Sequence, residues 1–222
     1  MAIVKVLSKK YRGFFALFLW LGMSSFAINN DHQRYEQVVV KFIITPKVDK
    51  ATQLPEGFAY TLAKVERILS KIFSSDELRV ALAKKDFPDS SFSKSKKGCF
   101  QALYETNGRV SGLGLYQNLT QKQAVELEWV IKPYPNGKTS TMGFSNACVD
   151  RITSYDYWIK DGQFLSLRMV RHLAHEFTHI VGYRHASKVP EAYKWTKKED
   201  PAYVLGGIVG DIMLDWIKKG EL

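Results

Sequence analysis

Apolar side chains change their spacing several times along this chain, and each change predicts an element. Residues 37–45 (QVVVKFIIT) are dense in β-branched side chains and run up to Pro46, which predicts a sheet strand ended by the proline. The period then lengthens. Phe58, Leu62, Val65, Leu69 and Ile72 recur at steps of four and three, the spacing of one face of a helix beginning near Pro55. Ser75 or Asp76 caps a second, shorter helix that runs to about Lys85, before Pro88. Residues 99–104 read as a short strand ending at Asn107-Gly108, and residues 110–119 as a helical segment weakened by its glycines. In residues 124–131 (AVELEWVI), Val125, Leu127, Trp129 and Ile131 alternate with Glu126, Glu128 and Val130, a period of two that predicts a strand with one buried face. Pro133, Pro135, Asn136 and Gly137 make a turn, and residues 141–153 supply a returning strand or two. Asp161-Gly162 precedes residues 165–181, uninterrupted helix formers closed by Gly182. Asp200-Pro201, a cap with proline at the first helical position, leads into a last helix over residues 202–219.

Strands and helices are thus mixed first, with two helices at the end, an α+β order. At 222 residues and 45% hydrophobic composition the chain can bury one substantial core and is short for two. No internal repeat is visible, and the one low-complexity stretch, the Ser/Lys-rich residues 90–97, reads as an exposed loop.

Charge changes the picture mainly at the start. Lys5, Lys9, Lys10 and Arg12 precede the apolar run 14–23 (FFALFLWLGM), and Ser25-Phe26-Ala27 supplies a small-x-small cleavage pattern. Residues 1–27 therefore read as a signal peptide and 28–222 as one mature domain, secreted or periplasmic. The run is short for a bilayer crossing, which needs roughly twenty residues; an uncleaved membrane anchor is the alternative reading. Cleavage would remove four basic groups and no acidic ones, lowering the formal net charge from +10 to +6. The remaining clusters, such as Lys94, Lys96 and Lys97 or Lys197 and Lys198, lack the Arg and aromatic interleaving of a nucleic-acid surface, so a solvated basic face is expected. No nucleic-acid partner, no stable membrane partner after cleavage and no long prodomain are expected.

The candidate chemistry sits in residues 175–185, HEFTHIVGYRH, which place His175, Glu176, His179, Gly182 and His185 in the order HExxHxxGxxH. Two histidines four apart rise from the same helical face, so both imidazoles can reach one ion. Glu176, one residue past the first, can face that ion without binding it and take a proton from its water. Gly182 stands where the backbone must leave the helix with positive φ, a turn that lets His185 swing back as third ligand. Three protein ligands leave a fourth tetrahedral position open, the mark of a catalytic zinc site. Five specified positions arise together by chance on the order of once in 10⁵ such chains. An amphipathic helix with surface histidines and an inactive metal-binding relic are the competing readings.

The eleven-residue signature resembles that of the metzincin group of zinc metallopeptidases. The resemblance implies a zincin-like fold, a twisted mixed β-sheet packed on helices with a long active-site helix and a C-terminal helix. It also implies one bound Zn2+ and a peptide or protein substrate. The run from Glu105-Thr106-Asn107-Gly108 to the end is similar to small secreted bacterial peptidases without assigned substrates. Metzincins carry a methionine turn beneath the metal; the only downstream methionine, Met213, is spaced with Val209, Ile212 and Trp216 like the apolar face of a helix, which favours core packing. His172, three residues before His175, is a candidate for orienting the site or contacting substrate, against a plain exposed side chain. Tyr183 and the more distant Tyr203 are candidate oxyanion donors. Cys99 and Cys148 are the only cysteines, and in an exported protein the even count favours a disulfide, worth about 3–4 kcal/mol in the chain-entropy model. A buried thiol, or a thiolate that inhibits the metal, is the competing reading.

The expected function is that of a zinc metalloendopeptidase in which Glu176 is general base, with residues 124–131 pairing to an extended peptide. The alternatives are a secreted non-catalytic zinc-binding module and a zinc hydrolase acting on cell-wall amide bonds.

Overall fold

Strand β1 (Lys41–Val48) does not stop at Pro46 but runs through it, and hydrogen bonding explains why. Its amides alternate in direction. Lys41 donates to Gln123, towards the sheet, whereas Val40 and Phe42 donate 2.9 Å outward to the hydroxyls of Ser74 and Ser70, and Ile44 donates to Glu66. Pro46 is next in the outward series, where no N–H is needed, so an edge strand tolerates it. The outward partners lie on or just past helix α1 (Phe58–Phe73), four residues apart, so this helix covers the sheet edge. The computed structural model describes residues 38–92, 109–135, 141–162, 164–188 and 196–222, all belonging to one unit, 37–222. The expected signal peptide at 1–27, the strand at 99–104 and Cys99 lie outside the described residues.

Among the described residues there are six α-helices and a mixed four-stranded sheet. Ser75 accepts from the Leu78 amide as the cap of α2 (Asp76–Ala83), as expected. The weak helical segment begins with a short strand: β2 (Asp86–Phe87) pairs antiparallel with β3 (Val110–Ser111), and Ser111 then caps α3 (Gly112–Thr120). β4 (Ala124–Lys132) buries Val125, Leu127, Trp129 and Ile131. The returning segment is two strands, β5 (Gly143–Ser145) and β6 (Arg151–Tyr155), followed by a short unanticipated helix, α4 (Tyr157–Lys160). The sheet order is β1-β4-β6-β5, with β1, β4 and β6 parallel and β5 antiparallel to β6. β4 is therefore central, and its expected pairing with a peptide substrate is ruled out, because both its edges are already taken. Among the described residues, the open edge belongs to β5.

The two terminal helices are α5 (Leu165–Ile180) and α6 (Pro201–Lys219). Leu62, Val65, Leu69 and Ile72 of α1 are buried as their spacing predicts, and Phe42 meets Phe73 and Phe177 edge-on at 4.9 and 5.4 Å. Each such side chain contributes about 1.5–3 kcal/mol on burial, which fixes α1 and α5 against the sheet. α6 packs closely on α5: a Cβ on Gly206 would lie 3.0 Å from the Arg171 carbonyl and 3.5 Å from His175 Cβ. Met213 is buried inside α6, so it packs in the core and forms no methionine turn.

Two glycine substitutions should move stability in opposite directions. A Cβ on Gly112 would sit 2.2 Å from the Leu82 carbonyl, whereas one on Gly207 meets nothing within 4 Å. Urea denaturation should show Gly112→Ala destabilised by about 2–3 kcal/mol and Gly207→Ala stabilised by about 0.5–1 kcal/mol.

Candidate metal centre

Helix α5 buries Met169, Val170, Leu173 and Phe177, and turns His175, Glu176 and His179 towards a cleft of about 1040 Å³. It ends where expected. Gly182 has φ 102°, its amide bonds to His179, and a Cβ there would press to 2.9 Å from the Phe92 ring. The departing chain is then pinned: the Arg184 amide donates to Ser91 at 2.8 Å, and Phe92 bridges Tyr183. This returns His185 to the site.

The Nε2 atom of His185 lies 3.3 Å from Nε2 of His175 and 3.0 Å from Nε2 of His179, and the three donor atoms lie within 4.8 Å of one another. Two nitrogens bound tetrahedrally to one zinc at about 2.0–2.1 Å stand about 3.3–3.4 Å apart, so the spacing suits an ion of that size. The opposite ring atoms explain the orientation. His179 Nδ1 donates to the Tyr183 carbonyl at 2.7 Å, His185 Nδ1 donates to Asp200 Oδ2 at 2.8 Å, and the His175 ring is held by the backbone of Ala202. A hydrogen fixed on Nδ1 leaves a lone pair on Nε2, aimed at the common centre. Burial pushes His175 down to about 2 and His179 to about 4, each lowered further by neighbouring imidazoles, so both rings are neutral at pH 7, the form that can bind a metal.

Glu176 is only 3% exposed, and burial raises its carboxyl to about 7 against the opposing hydrogen bond from Ser145. Ser145, on β5, has its hydroxyl 2.9 Å from Glu176 Oε2 and 2.7 Å from the Glu176 carbonyl. His172 is not an exposed side chain: it is 6% exposed, between α5 and the sheet, and burial lowers it to about 3. Tyr183 is 2% exposed with its ring against Phe87 and Phe92, so its carbonyl, not its phenol, serves the site. Tyr203, in the first turn of α6 and 43% exposed, places its ring 4.8 Å from His175 and 5.2 Å from His185. Cys148 lies exposed in the turn after β5, where its amide caps the Ile180 carbonyl at the end of α5. The expected bridge to Cys99 falls outside the described residues.

Two site residues were not foreseen. The Asp-Pro step marks Asp200 only as a helix cap, and it is one, accepting from Ala202 and Tyr203 through Oδ1; its other oxygen holds His185. Ser145 carries no local signal, since its role comes from strand order. Comparison with known protein families, curated proteins and solved structures returned no match.

Asp200→Asn keeps a good cap but replaces the charged acceptor of His185. Zinc affinity, read by competition with a chromophoric chelator, should fall about tenfold, while the metal-free stability changes by less than about 0.5 kcal/mol.

Proposed function

We propose that this protein is a zinc-dependent peptidase in which His175, His179 and His185 hold one ion and Glu176 is the general base. The observation that carries this reading is the convergence of three imidazole nitrogens beside a buried carboxylate at the wall of a cleft. Three histidines with no fourth ligand beside them among the described residues suit zinc in an open site. A bound ion there supplies Lewis acidity, which makes water a nucleophile near neutral pH and polarises a carbonyl. Glu176 accepts the water proton and passes it to the leaving amine. Ser145 suits both forms of the carboxyl: it donates to Oε2 of the carboxylate, and when Oε2 carries the proton it accepts that hydrogen and donates to the Glu176 carbonyl. Tyr203, whose ring lies beside those of His175 and His185, is the candidate donor to the oxyanion.

The sheet offers a place for an extended substrate. Tyr155 donates inward to the Met142 carbonyl, so by alternation Phe144 also bonds towards β6, while Gly143 and Ser145 turn their amides and carbonyls outward. No described strand pairs with that edge. A peptide laid along it would pass Glu176, with backbone hydrogen bonds providing the common binding term. We place the enzyme outside the cytoplasm on the leader-like character of residues 1–27.

Purified protein should bind one zinc and cleave casein in a chelator-sensitive manner. Glu176→Gln should keep the zinc and lose at least about 10²-fold in turnover. Undiminished cleavage by the zinc-loaded variant removes Glu176 as the base, and stoichiometric zinc without cleavage of casein or a peptide library favours a binding module.

A further inference from the structure

We propose that His172 is a positioning residue for Glu176, its ring held by a buried hydrogen-bond chain from Trp129 through Ser154 so that Nδ1–H faces the carboxylate. This role rests on the reading of Glu176 as the general base. The chain crosses three elements. Trp129 Nε1 on β4 lies 2.8 Å from Ser154 Oγ on β6, and Ser154 Oγ lies 2.7 Å from His172 Nε2 on α5. Trp129 and Ser154 are fully buried.

Counting hydrogens sets the direction. An indole N–H can only donate, so Ser154 accepts from Trp129. The serine hydroxyl has one hydrogen of its own, and its remaining partner is His172 Nε2. Donation to Nε2 satisfies every group in the chain; a hydrogen on Nε2 instead would leave the hydroxyl hydrogen without an acceptor in a buried site, at about 1–3 kcal/mol. The neutral ring therefore carries its hydrogen on Nδ1. That atom lies 3.8 Å from Glu176 Oε1.

The ring has no freedom to turn away. Trp158 meets it edge-on with centroids 4.9 Å apart, and Gly143 lies so close that an added Cβ would stand 3.0 Å from His172 Cε1 and Nε2. Glu176 is thus approached on both oxygens, by the Ser145 hydroxyl at Oε2 and by His172 Nδ1–H at Oε1. The gap at Oε1 is wider than a hydrogen bond, and such contacts commonly tighten in the reacting complex. A neutral N–H restrains the carboxylate without the loss of basicity that a cation would impose.

The test uses the full-length, zinc-loaded protein. Asn places an amide near the Nδ1 position and Gln places one near Nε2, so the two replacements keep opposite ends of the chain. His172→Gln should lower kcat by about 10- to 100-fold with KM and zinc affinity unchanged, and His172→Asn should recover most of the loss. Equal loss in both variants, or no loss in either, overturns the proposal. Long-range ¹H–¹⁵N correlation on the histidine-labelled wild type gives a second readout that needs no variant to fold: the hydrogen should be on Nδ1 of His172. A hydrogen on Nε2 in an active enzyme overturns the role of His172 alone. Absence of cleavage by the zinc-loaded wild type overturns the reading of Glu176 as base, and the role of His172 with it.

Discussion

The lone pair of His185 faces those of His175 and His179 across 3.3 and 3.0 Å, an approach that is repulsive unless a proton or a metal ion stands between them, and much of the site is arranged to force that meeting. Protonation would relieve the repulsion in solution. Here burial holds His175 and His179 far below neutrality, and the hydrogens of His179 and His185 are tied on the far side of each ring. The backbone, through Gly182 and the pinned segment after it, leaves little room to spread the three rings, so the cluster that could hold a metal ion is held close.

The helix that carries this centre faces two environments. Met169, Val170, Leu173 and Phe177 anchor α5 in the apolar core, while His172 and Glu176 bring polar groups into the same buried layer. Polar groups at such depth are tolerated only with partners, and β5 and β6 supply them through Ser145 and Ser154. The two sheet edges are treated differently for the same reason. α1 spends side chains on covering β1, whereas β5 is left uncovered among the described residues where it runs past Glu176.

Much of the architecture is legible in the chain because it depends on local periodicity. The steps of α1, the alternation of β4 and the breaker-free run of α5 each report a buried face, and the HExxHxxGxxH spacing reports the three-histidine cluster because one helix and one turn hold it. What stays hidden depends on strand order. Nothing in residues 124–131 reveals that β4 is central and unable to receive a peptide, nor that Pro46 faces an edge where its missing hydrogen is harmless. The same holds for side chains. Tyr183 sits beside the ligands in sequence yet turns into the core, Tyr203 comes over them from another helix, and His172 is buried because a glycine 29 positions earlier makes room for it.

Asp200 joins two processes that are usually separate. One carboxylate oxygen starts the last helix and the other holds His185, so on the proposed reading ion binding and the seating of that nineteen-residue helix would be thermodynamically linked. Linkage is reciprocal: whatever factor the ion contributes to docking the helix, a well-docked helix returns to ion affinity. On the proposed reading, a substitution that loosened the last helix would weaken the hold on an ion, and loss of the ion would loosen the helix in turn.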